Sequence, residues 1–121
     1  MGKLAERAVT NHRSWYTCSG SVLCAFAEEA GLTQEEAKRI AAPFAGGRMG
    51  KCGAVMAAER VLREKYGERA EPLIARLEKA FIDKNKSDSC AVLRGLHLRP
   101  CRGCVQDAAE ILEEILSSGE G

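Results

Sequence analysis

A chain of 121 residues, 45% hydrophobic and 29% charged, suits one globular domain that can bury a core without covalent staples. Its 18 basic and 17 acidic residues nearly cancel to a net charge of +1, so neither nucleic acid nor a membrane is an expected partner. No apolar run approaches a membrane span, and the start Met1-Gly2-Lys3-Leu4-Ala5-Glu6-Arg7 lacks the apolar segment of a signal peptide, so a cytoplasmic location is expected.

Alanine is abundant, β-branched residues are sparse and helix punctuation recurs. The expected fold is all-α: a compact orthogonal or irregular bundle of about five to seven helices, with residues 1–121 as a single cysteine-rich domain. Residues 1–13 and 117–121 are expected to be peripheral or frayed. A first helix is predicted from Lys3 to about His12, with Leu4, Ala8 and Val9 on one side. Ser14 to Thr17 breaks the pattern, and Trp15 and Tyr16 are expected to lie as a lid over the core. A second helix follows from Cys18 to Ala30, with Val22, Ala25 and Phe26 inward and Gly31 as its stop. Thr33 and Glu36 spell a capping box for a third helix, whose buried stripe is Ala37, Ile40, Ala41 and Phe44. Pro43 and the run Gly46-Gly47-Arg48-Met49-Gly50 end it.

The fourth helix is predicted from Cys52 to Tyr66. Val55, Ala58, Leu62 and Tyr66 recur at helical spacing, and Ala54, Ala57 and Val61 widen the apolar side, as suits a central helix. The fifth begins near Pro72 and turns Leu73, Leu77, Ala80 and Phe81 inward. Lys84 to Asp88 reads as a polar loop, and a short helix follows from Cys90 to Leu93. The last helix runs from Cys101 to Leu116, with Val105, Ala108, Leu112 and Ile115 inward. Gln106, Asp107, Glu110, Glu113 and Glu114 are expected on its wet side.

Six cysteines in a reducing compartment are hard to read as structural disulfides. Cys18 shares a face with Val22, Ala25 and Phe26 and should point inward. Cys24 lies about 240° further around that helix and reads as packing. Cys52, Cys101 and Cys104 sit at helix starts, where unpaired N–H groups and the helix dipole favour a thiolate. Cys101-Arg102-Gly103-Cys104 is a C-x-x-C whose sulfurs share a face; it suits a dithiol couple or half of a metal site. Val105 stands where a c-type haem attachment needs His, and no βαβ context supports a thioredoxin. The glycines before Cys52 do not make a phosphate loop: Ala45 and Cys52 occupy two of its required positions and no strand precedes them, so no nucleotide is expected. Glycine there lets the backbone approach either another helix or a bound cluster, or simply turns the chain. His97 could reach a metal but reads better as a loop histidine, and no hydrolase constellation is present.

Several of these segments are similar to one family. Tyr16-Thr17-Cys18-Ser19-Gly20-Ser21-Val22-Leu23, Met49-Gly50-Lys51-Cys52-Gly53-Ala54-Val55, Ser89-Cys90-Ala91-Val92-Leu93-Arg94-Gly95 and the helix from Cys101 through Cys104 to Leu112 carry the likeness. On these stretches the chain resembles the C-GCAxxG-C-C family of redox-active proteins, small domains with four characteristic cysteines. The resemblance implies that Cys18, Cys52, Cys90 and Cys101 are the functional set, with Cys24 and Cys104 as additions. Thr17 replaces the usual Asn, and Ala57 a usual glycine. A related domain occurs in split-Soret cytochromes, which carry haem and are linked with an iron–sulfur centre; no haem is expected here.

Three readings stay open. In the first and favoured one, Cys18, Cys52, Cys90 and Cys101 ligate a metal centre for electron transfer, iron–sulfur ahead of zinc, with backbone N–H groups near Gly50 and Gly53 tuning it. In the second, Cys101, Cys104 and Cys52 work as a metal-free dithiol/disulfide system. In the third, the chain is a helical interaction module with inert buried thiols. A redox partner protein is expected for the first two, and the wide apolar face could serve a homodimer.

Overall fold

The punctuation in the sequence is where the chain turns. In the computed structural model, residues 2–47, 49–95 and 101–118 are described, without the side chains of 46, 47, 90, 91, 94 and 101. These residues form eight α-helices and no strand: α1 (Lys3–Arg13), α2 (Cys18–Ala25), α3 (Ala27–Ala30), α4 (Gln34–Ala41), α5 (Gly53–Tyr66), α6 (Ala70–Asn85), α7 (Cys90–Gly95) and α8 (Cys101–Ser117). The all-α expectation holds. The second expected helix divides at the buried Phe26 into α2 and the four-residue α3. No described helix is long and apolar enough to cross a membrane.

The capping box forms as read: Glu36 N–H donates to Thr33 Oγ1 (3.1 Å), and Thr33 N–H donates to Glu36 Oε1 (2.9 Å). α4 stops at Ala41 rather than reaching Phe44, and Ala42–Gly47 continues as a 3₁₀ turn containing Pro43. A second 3₁₀ turn, Gly67–Arg69, runs directly into α6, which therefore begins at Ala70 and not at Pro72. Pro72 still falls in the first turn, where its missing N–H costs nothing. α6 also runs on to Asn85, through residues read as loop.

α5 is the central helix. It packs on α2, α3, α6 and α8, and Ala54, Val55, Ala57, Ala58, Val61 and Leu62 are all fully buried. Its alanines let neighbouring backbones approach, and the larger Phe26, Leu77, Phe81 and Leu112 fill the gaps between helices. α1 lies against α2 and α8 through the buried Ala5 and Ala8.

Two acidic residues of α8 do not face water as expected. Asp107 is buried and accepts from Lys84 Nζ (3.1 Å) and Asn85 Nδ2 (3.1 Å), which draws the end of α6 onto α8. Glu113 is half-buried and accepts from the Leu4 and Ala5 N–H groups (3.1 and 3.2 Å), thereby capping α1 from the far end of the chain. Periodicity marks such residues as polar, but only a neighbouring helix supplies their partners. Glu59 on α5 is a third case: it is buried and held by Lys51 (2.9 Å), which also pairs with Glu78 of α6. Burial raises the Glu59 pKa, with Lys51 opposing.

Candidate thiol site

α2 opens at Thr17, whose hydroxyl accepts from Gly20 N–H (2.9 Å) and so fixes the first turn that carries Cys18. Ser19 donates its buried hydroxyl to Ala41 O (2.8 Å), which anchors this turn to α4, and Ser21 donates back to Thr17 O (2.6 Å) within the turn. Cys18 is half-buried at the edge of that anchor.

Cys52 stands immediately before α5. Its N–H donates to Asp88 O (2.6 Å), and Lys51 and Ser89 form an isolated antiparallel bridge. The segment leading into Cys90 is thereby stitched to the segment holding Cys52. Gly53 then has to be glycine. A Cβ there would lie 2.7 Å from Cys18 Sγ and 2.7 Å from Phe44 O, so the start of α5 packs directly on the Cys18 sulfur and on the 3₁₀ turn. At Gly53, just after Cys52, glycine serves a close approach to neighbouring protein. Gly50 has φ +90°, a left-handed conformation that favours glycine, and shapes the turn ahead of Cys52.

Cys104 lies one turn into α8 and hydrogen-bonds to the Cys52 sulfur. Both are nearly sealed, at 5% and 4% exposure. The Cys104 contact is the largest influence on Cys52, whose pKa falls from 9.0 to about 7. Burial opposes the fall; the N–H groups of Val55 and Ala54 at the start of α5 add to it; the charge of Asp88 opposes it weakly. The helix-start argument made from sequence thus has its physical counterpart at Cys52, although the Cys52 side chain forms no regular cap hydrogen bond.

Three cysteine-bearing segments and α8 therefore meet at one end of the bundle. Cys18 touches Gly53, Cys52 touches Cys104, and the approach to Cys90 is bonded to Cys52. Cys104, which the family likeness leaves outside the functional four, is the residue found against Cys52. Its place in the C-x-x-C was the available signal. Cys101 opens α8, but its side chain and that of Cys90 are outside the described set, as are His97 and residues 119–121. Among the described residues no group of three or more His, Cys, Asp or Glu side chains is arranged to hold a metal ion. Cys24 lies apart, buried, with its thiol toward Gln34 O (4.0 Å).

Beside Cys18 the surface departs from expectation. Trp15 is no lid: its side chain is 96% exposed and its backbone sits at φ +73°, which is rare for a bulky residue. Tyr16 does pack on the core, with the Lys38 ammonium 5.0 Å from its ring centre. These residues border a cleft of about 390 Å³.

The sequence profile of the family described as "Putative redox-active protein (C_GCAxxG_C_C)" matches residues 16–115. No curated protein matches the chain, and no solved structure does.

Proposed function

The chain belongs to the C_GCAxxG_C_C family of redox-active proteins, and from that premise we propose that it is a dithiol/disulfide protein in which Cys52 is the nucleophile and Cys104 its partner. The observation that carries this reading is the hydrogen bond between two buried thiols, one of them acidified to about 7. Near neutral pH about half of such a thiol is ionised, and the attacking thiolate is most effective when its pKa lies near the ambient pH. Oxidation removes two electrons and two protons from the pair and forms one S–S bond. A reducing cytoplasm would return it to the dithiol.

The test is direct. Reduced protein treated with a small neutral oxidant such as diamide should reversibly lose two of its six titratable thiols, and peptide mass spectrometry should find Cys52 joined to Cys104. Protein that keeps all six thiols under oxidant overturns the reading in favour of an inert helical module.

A second reading has one observation on its side: the backbone stitching of the Cys90 segment to Cys52. It keeps Cys18, Cys52, Cys90 and Cys101 as ligands of an iron–sulfur or zinc centre, which would supply electron transfer or structural closure respectively. The described thiols alone do not fit such a centre, so Cys90 and Cys101 would have to complete it. Brown, anaerobically purified protein with stoichiometric iron and sulfide would decide for the cluster.

A further inference from the structure

The turn ahead of Cys52 has little packing of its own. Met49 is exposed, and Gly50 carries no side chain and takes a left-handed backbone. The backbone at Lys51 and Cys52 pairs with Asp88 and Ser89, which lie between α6 and α7 rather than in either helix. Lys51 fastens this turn to the helices. Its ammonium donates to Glu59 Oε2 (2.9 Å), about two turns into α5, and to Glu78 Oε2 on α6. Arg63 stands 3.9 Å from the other Glu59 oxygen and is half-exposed, so it holds that carboxylate loosely.

A buried ion pair is a poor source of stability, because desolvation offsets the attraction and an apolar pair of similar volume is often as stable. Glu59 is only 3% exposed, so the pair with Lys51 falls under that rule. What an apolar replacement lacks is direction: a charge-assisted hydrogen bond fixes where the Lys51 side chain ends. Successive side chains of an extended segment alternate in direction, so fixing Lys51 also fixes the way Cys52 points. Resting on the dithiol reading above, we propose that Lys51 is a positioning residue for Cys52: through Glu59 and Glu78 it anchors the turn to α5 and α6 and holds the Cys52 sulfur against Cys104. Its contribution is proximity. When a small thiol is joined to Cys52 in a mixed disulfide, Cys104 attacks Cys52 Sγ, the internal S–S bond forms, and the small thiol leaves carrying the proton that Cys104 gives up. An outside thiol drives the reverse exchange. Lys51 sets the effective concentration of Cys104 at Cys52 in that competition.

The experiment equilibrates the full oxidised chain with increasing β-mercaptoethanol, quenches with acid, and measures the internal disulfide against the mixed disulfide on Cys52 by mass spectrometry. Cys52 is disulfide-bonded on both sides of this equilibrium, so the reading is independent of its acidity. Lys51→Met/Glu59→Leu replaces the buried pair by apolar groups, and the thiol concentration at the midpoint should fall about tenfold. Lys51→Arg keeps the ion pairs and should stay within about twofold of wild type. Thr33→Ala uncaps α4 without touching the turn and should not move the midpoint. A folded double variant with the wild-type midpoint overturns the positioning role. An equal fall in Thr33→Ala overturns it too, because general loss of stability would then account for the effect. Should the double variant not fold, Glu78→Leu decides: this half-buried residue forms the α6 arm of the tether, and its loss should lower the midpoint about threefold. An unchanged midpoint there overturns the proposal. Wild type that forms no Cys52–Cys104 bond with diamide sinks the dithiol reading itself.

Discussion

Cys52 and Cys24 are both buried, one just ahead of α5 and the other within α2, which packs on it, yet their chemistry diverges. At Cys24 burial dominates and raises the pKa, with the charge of Lys38 a lesser opposing influence. At Cys52 burial is overcome, because a second thiol and two helix-start N–H groups stabilise the anion. Solvent exclusion by itself makes a thiol inert, whereas directed donors in the same low-dielectric setting make it acidic. The difference lies in what each sulfur faces: Cys24 faces the carbonyl of Gln34, an acceptor, and Cys52 faces donors.

The largest effect expected from this contrast is all-or-none. Cys52→Ser should abolish oxidant-driven loss of two thiols, and Cys24→Ser should leave it intact, as counted by thiol titration. Equal loss in both variants would break the comparison. Next, Cys104→Ala removes the strongest donor. Alkylation of Cys52 by iodoacetamide at pH 7 should slow roughly tenfold, and its midpoint should climb from about 7 towards the ordinary thiol value of 9.0.

The same shift ties stability to pH. The folded Cys52 pKa lies below the unfolded one, so the unfolded state holds more protons between about 7 and 9.0. The stabilisation, roughly 3 kcal/mol, is full above that window and is lost as pH falls through about 7. Urea unfolding under reductant should show wild type gaining on Cys52→Ser between pH 6 and pH 9; a constant gap would remove the acidified thiol from the account.

Gly53→Ala tests the seat of the site. The added methyl meets Cys18 Sγ and the Phe44 carbonyl, and the second of these is backbone that cannot swing aside. A loss of about 1–3 kcal/mol is expected, with slower Cys52–Cys104 oxidation because α5 must shift. The smallest effect belongs to the Cys24 side. Thr33→Ala uncaps α4 beside Gln34 and should cost about 1 kcal/mol without changing the Cys52 alkylation profile.

Much of the framework was legible in the residues. The Thr33–Glu36 box, the stop at Gly31, the broad apolar side of α5 and the helix starts at Cys18, Cys90 and Cys101 are local signals, and local hydrogen-bonding chemistry acts on them directly. The misreadings share a cause. Asp107 and Glu113 were assigned to water by periodicity and are instead partnered across helices. Trp15, expected as a lid over the core, lies in solvent on a left-handed backbone. Cys104 carried a visible motif, but its relation to Cys52 spans 52 residues of chain, and no periodicity reaches that far.

The amino-acid order alone determined which stretches are helical, where most of them begin, and that several thiols would sit where a helix dipole is positive, because these depend on groups a few residues apart. The tertiary structure alone decided which thiol meets which donor. Acidifying one sulfur requires a hydrogen bond of a few ångströms between helices that are distant in sequence, and only the packing of α5 against α2 and α8 brings those atoms together.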